Sequence, residues 1–180
     1  MTSSIVLLLP GWQNSGASHW QSRWEALYGY QRVEQHDWDR PLRGDWITRL
    51  EDVVSSQSEG TEVTLVAHSM ACVLVAAWAP LSRVTHRVKG ALLVATSDME
   101  SNNMRNLLPS WSPVVEKPLP FPAVLVTSQN DPYCSFPRAC ELASAWGARR
   151  VDLGRLGHIN GESGLGDWQE GHELLLNLRR

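Results

Sequence analysis

Short apolar, β-branched runs recur along the chain at residues 5–9, 30–35, 62–67, 90–95, 123–128 and 149–153. Stretches with helical spacing of apolar positions separate them. Near-continuous apolar runs of this length are what strands buried on both faces require, and helices between them supply the covering layers. The pattern therefore predicts a three-layer α/β/α sandwich around a six-stranded, mostly parallel sheet.

The helices have legible ends. Ser18 with Gln21 has the form of a capping box, Trp20, Trp24 and Leu27 follow at helical spacing, and Gly29 stops the turn. Asp45 is placed to cap a second helix whose Trp46, Leu50 and Val53 or Val54 share a face. A third begins near Ser69 and ends at Pro80. Another runs over 135–146, and the last over 167–178 with Trp168, Leu175 and Leu176 facing inward. Residues 96–122 break the rhythm: they are rich in Pro, Asn and Ser, with Met99, Met104, Leu107, Leu108 and Trp111 scattered among them. This reads as a partly helical excursion over the sheet edge, either a connecting loop or a lid on a pocket.

At 180 residues the chain suits one domain, 1–180, without repeat or linker. Its 43% apolar content and nine tryptophans point to a packed core. A net charge of −3 and the absence of Lys or Arg runs argue against nucleic acid. Residues 5–9 are too short for the apolar part of a signal peptide and lack a basic flank, and no stretch suits a bilayer. Three cysteines without metal-site spacing suggest neither a zinc site nor a disulfide framework, so no metal, no cofactor and a reducing cytoplasm are expected.

Right-handed crossovers place every strand-to-helix loop at the C-terminal edge of a parallel sheet, which confines the search for chemistry to those loops. After the third run the chain reads Leu65-Val66-Ala67-His68-Ser69-Met70-Ala71, a strand passing through serine straight into a helix. A nucleophile elbow has this form and needs small residues two before and two after the serine; here both are alanine where glycine is usual. Ser69 could instead serve only as a helix cap.

A serine hydroxyl needs a base within hydrogen-bond reach and a third group to orient that base. Asp131 follows the fifth run in Asn130-Asp131-Pro132, and His158 follows the sixth in Gly157-His158-Ile159. The order serine, acid, histidine is that of α/β-hydrolases. Asp98, after the fourth run, is the alternative acid; Asp131 is favoured because sheet twist brings the fifth and sixth loops together. His68 reads as packing beside the strand, and His19 as part of the pocket rim. The backbone N–H groups of Trp12 and Met70 are the candidate oxyanion donors, with Gly11 permitting close approach.

Several segments together resemble the compact serine hydrolases related to retinoblastoma-binding protein 9. They are Pro10-Gly11-Trp12-Gln13-Asn14-Ser15 with His19-Trp20-Gln21, Val66-Ala67-His68-Ser69, Ser128 to Tyr133, Gly157-His158-Ile159-Asn160, and Ser163 to Trp168. The resemblance implies a minimal α/β-hydrolase fold, a triad on Ser69, Asp131 and His158, and esterase activity. No L-x-C-x-E segment is present, so a protein partner is not carried over. The expected partner is a small-molecule acyl substrate. Hydrolysis is weighed against a catalytically silent scaffold that binds a partner, and against acyl transfer.

Overall fold

A computed structural model describes residues 3–180. Six strands form one sheet: β1 Ser4–Leu9, β2 Gln31–Arg32, β3 Glu62–His68, β4 Val88–Val94, β5 Ala123–Thr127 and β6 Arg149–Asp152. Their order across the sheet is β2-β1-β3-β4-β5-β6, and every neighbouring pair is parallel. The helices are α1 Trp20–Tyr28, α2 Arg43–Ser55, α3 Met70–Trp78, α4 Asn102–Leu107, α5 Phe136–Ala145 and α6 Gln169–Leu178.

Alternation along each strand divides the core into two layers. Leu7, Leu65, Ala67, Ala91, Leu93 and Leu125 face a cluster completed by α2, α3 and α5. Val6, Leu8, Val66, Leu92, Val94 and Val126 face the other, closed by Trp20 and Trp24 of α1, Trp168, and Leu175 of α6. Burying side chains of this size stabilises the fold by roughly 1.5–3 kcal/mol each before entropy is subtracted. This is the expected α/β/α sandwich.

Several local expectations change. The second strand shrinks from 30–35 to two residues, pairing Leu7 with Gln31 and Leu8 with Arg32. Beyond these two pairs the Val33 N–H still donates to the Leu8 carbonyl at 2.9 Å before the chain leaves the sheet. Helix α1 is capped not by Ser18 but by His19, whose Nδ1 accepts the Gln21 N–H at 3.1 Å. The Gln21 amide donates instead to the carbonyls of Leu9 at 3.2 Å and Val66 at 3.1 Å, tying β1 to β3 just below their C-terminal ends. Helix α2 starts at Arg43 without a side-chain cap, leaving Asp45 in its first turn, where its charge complements the helix dipole. Leu176 is 39% exposed rather than inward.

Residues 96–122 are packed, not draped. Met99, Met104, Leu108 and Trp111 are buried in the α2–α3 layer, while Leu107 is exposed. The Trp111 indole donates to the Pro41 carbonyl at 2.9 Å and meets Trp46 edge-on at 5.5 Å. Arg138 on α5 further anchors the segment through Glu100 at 2.7 Å and Glu116 at 2.8 Å. Among the described residues no helix is long and apolar enough to cross a membrane.

The chain winds outward from β1 to β2 and then crosses to β3 on the other side of β1. Loops leaving β1 and β3 therefore diverge, and the crevice between them is where open parallel sheets place ligands.

Candidate active site

Ser69 is the single residue between β3 and α3, with φ 60° and ψ −127°. A non-glycine residue rarely holds a positive φ, and the surroundings must over-determine it. Here the Ser69 N–H donates to the Val94 carbonyl at 2.9 Å and the Ser69 carbonyl accepts from the Cys72 N–H at 3.0 Å. Ala67 and Ala71, either side of the turn, are wholly buried. The hydroxyl makes no capping bond to α3. It points to His158 instead.

The Ser69 Oγ lies 2.9 Å from His158 Nε2, and His158 Nδ1 lies 2.9 Å from both carboxylate oxygens of Asp131. Only 8% of the His158 side chain and 3% of the Asp131 side chain are exposed. Asp131 Oδ1 also accepts the Tyr133 N–H at 2.9 Å, which fixes the carboxylate plane. Asp98 does not compete for His158: its carboxylate accepts the Glu100 N–H at 3.1 Å and faces the Arg138 guanidinium at 3.7 Å.

The loops carrying Asp131 and His158 are stitched together by neighbours that sequence reasoning did not single out. Asn130 Oδ1 accepts from the Gly157 N–H at 2.9 Å and from the Ser128 hydroxyl at 3.0 Å, and Ser128 Oγ accepts the Leu156 N–H at 3.0 Å. Ser128 and Asn130 both shortly precede Asp131 in sequence, but nothing in a common Asn-Asp-Pro turn signals bonds to a loop about thirty residues on.

From the other side, His68 does more than pack. Its Nε2–H donates to the His158 carbonyl at 2.9 Å, and the Trp20 indole donates to the Ile159 carbonyl at 2.8 Å. The rings of His19, His68 and His158 stand in a row, with centroids 4.6 and 4.8 Å apart. Burial, reinforced by His158 and Arg32, pushes the His19 imidazole down to about 3. Burial, with His19 and His158 nearby, holds His68 well below the usual histidine range. Both therefore stay neutral at ordinary pH, His68 as a donor and His19 as an acceptor.

Gly11 lets the loop after β1 approach the elbow. A Cβ there would sit 2.8 Å from the Ser69 Cβ and 3.0 Å from the His68 carbonyl oxygen. Trp12 and Met70 line the same cavity as Ser69, and among the described residues neither backbone N–H is taken by a protein acceptor. The cavity holds about 410 Å³, with His19, His68, Ser97, Met104, Tyr133 and Asn160 also in its wall. Cys72, beneath the elbow, is fully buried, and that burial raises its thiol pKa and leaves it unreactive. Among the described residues no group of three or more His, Cys, Asp or Glu is arranged to hold a metal ion.

A family model described as serine hydrolase matches residues 6–177. The chain belongs to that family. Among solved structures, this serine hydrolase is similar to a YdeN-like hydrolase from Pectobacterium atrosepticum, with 29% identity and a TM-score of 0.84 over 98% of this chain and 91% of that one. The ydeN gene product from B. subtilis shares 18% identity with a TM-score of 0.73, covering 98% of both chains. Est2, an esterase from Thermogutta terrifontis solved with butyrate bound, shares 16% identity with a TM-score of 0.66 over 97% of this chain and 81% of that one. At such low identity the last two speak for the fold alone, and that fold is the α/β-hydrolase one. No curated protein matches the chain.

Proposed function

We propose that this serine hydrolase is a carboxylesterase-type enzyme that cleaves a small ester or related acyl bond through an acyl-enzyme on Ser69. The observation that most supports it is the pair of bonds on His158, with the Ser69 hydroxyl at 2.9 Å on one ring nitrogen and the Asp131 carboxylate at 2.9 Å on the other. The carboxylate holds the tautomer in which Nε2 is free to accept a proton. Ser69 Oγ attacks the acyl carbon as its proton passes to His158, and the carbonyl oxygen turns its new charge toward the N–H groups of Trp12 and Met70. His158 then protonates the leaving alcohol, and water admitted to the cavity repeats the sequence to release the acid.

The cavity of about 410 Å³ beside Ser69 has room for a small acyl substrate. The butyrate and propionate bound by the Thermogutta esterase suggest the first lengths to try. The motifs around Ser69, Asp131 and His158 favour kinship with the retinoblastoma-binding protein 9 group. Three free thiols favour a reducing, cytoplasmic setting.

The test is labelling with a fluorophosphonate, followed by p-nitrophenyl esters of graded length. Labelling of the wild type that is lost in Ser69→Ala, together with turnover of short esters, is the expected result. A folded wild-type protein that neither labels nor turns over would favour a silent binding scaffold. Acyl transfer would show as partition of the acyl group to added small alcohols in preference to water.

A further inference from the structure

Ser97, on the loop after β4, lies with its hydroxyl oxygen 2.8 Å from the Ser69 Oγ. Ala95, with φ 49°, turns the chain sharply after β4, and its N–H is held by the Val126 carbonyl at 2.9 Å. On the far side of Ser97 the Asp98 N–H is held by the Tyr133 carbonyl, also at 2.9 Å. Ser97 is therefore fixed at both ends and only 4% exposed, so water offers its hydroxyl little competition.

The direction of the Ser97–Ser69 bond follows from counting protons. An ionised carboxylate only accepts, so the proton between His158 and Asp131 sits on Nδ1. In the neutral imidazole Nε2 is then an acceptor, and the one proton of Ser69 is committed to it. Ser69 Oγ has nothing left to donate, and the proton in its bond with Ser97 belongs to Ser97. Of the four directions around Ser69 Oγ, one is the bond to Cβ, one is its proton toward His158 and one is a lone pair taken by Ser97. The fourth, a free lone pair, is left for the acyl carbon.

We propose that Ser97 is a further catalytic residue, whose hydroxyl donates to the Ser69 oxygen while that oxygen bears charge, both when it attacks and when it leaves. The inference rests on Ser69 being the nucleophile and His158 the base. In acylation the Oγ–carbon bond forms, the Ser69 proton moves to Nε2 and the carbonyl π pair moves to its oxygen. In deacylation water adds to the acyl carbon, its proton passing to Nε2 as the carbonyl π pair moves to oxygen. That pair then re-forms the carbonyl, the Oγ–carbon bond breaks with its electrons on Oγ, and His158 returns the proton there. Ser97 keeps its own proton throughout, and its bond strengthens as the acceptor becomes anionic.

Pre-steady-state turnover of p-nitrophenyl acetate separates this role from mere placement of the Ser69 side chain. The burst reports acylation, and decay of the acyl-enzyme reports deacylation. A group that only selected the Ser69 rotamer would slow attack but leave an acyl-enzyme already formed to decay normally. Ser97→Ala is expected to slow both steps by about tenfold or more, the scale of a hydrogen bond to a charged acceptor. Ser97→Thr, which keeps the hydroxyl, should restore both, and Ser97→Cys, a weak donor of similar size, should fall between and carry the test if the alanine variant does not fold. Unchanged deacylation in a folded Ser97→Ala or Ser97→Cys protein overturns the proposal. Absence of a burst and of fluorophosphonate labelling in the wild type would instead overturn the Ser69 reading, and this one with it.

Discussion

The Trp20 indole N–H reaches 2.8 Å to the carbonyl of Ile159, joining the start of α1 to the loop that carries His158. Ile159 has φ 47°, a conformation an isoleucine does not hold unaided. Trp20→Phe keeps an aromatic ring but leaves that buried carbonyl without a donor, which costs about 1–3 kcal/mol. Urea unfolding should register that loss, and kcat should fall with it because His158 is the adjacent residue.

Ser69→Ala and His158→Ala should each remove nearly all esterase activity, by about 10⁴-fold or more, and the double variant should be little worse than either. Steady-state kcat values for the three proteins are the check. Losses that multiply would mean that the two residues act separately.

Gly11→Ala should act on the site without removing any polar group. The added methyl would lie 2.8 Å from the Ser69 Cβ and 3.0 Å from the His68 carbonyl oxygen, both on the backbone-fixed elbow. Either the loop after β1 retreats or the elbow shifts, and a displacement near 1 Å at reacting atoms costs about 10²-fold in rate. Fluorophosphonate inactivation kinetics would measure it, with thermal unfolding recording any accompanying loss of stability.

Stability should fall with acidification because of His19 and His68. Both are held below the ordinary histidine value in the folded protein, His19 to about 3, whereas the unfolded chain protonates near 6.5. The stabilising contribution of each is complete above the unfolded value and is lost as pH falls from about 6.5 toward the folded value. Urea unfolding at about pH 7.5 and about pH 5.5 should show the decline. In His19→Asn, where asparagine can still cap α1, the decline should be shallower.

Arg138 binds carboxylates of Glu100 at 2.7 Å, Glu116 at 2.8 Å and Glu141 at 3.2 Å, with Asp98 at 3.7 Å. Arg138→Met should leave these acids mutually repelling and loosen residues 96–122, read as faster amide hydrogen exchange there than in the sheet. High salt should narrow the difference between variant and wild type.

What the chain determines alone is periodic or local. Apolar runs such as Val63 to Ala67, short and recurring between helical patterns, announce strands buried on both faces, and Gly29 and Ser135 mark helix ends through their own backbone and side-chain bonds. Ser69, Asp131 and His158 could be singled out as candidates because each lies in a loop that follows a strand, and a parallel sheet sends all such loops to one edge. Cap positions were less secure: Ser18 and His19 are adjacent and both able to cap, and only the demand for Gln21 between the Leu9 and Val66 carbonyls decided the matter. Ser97, His68 and Trp20 carry no local mark at all. Their partners lie 28, 90 and 139 residues away, so each acts only once the sheet has brought its loop beside another. A hydrogen bond depends on distance and angle to a few tenths of an ångström, and only the folded packing of the chain sets those.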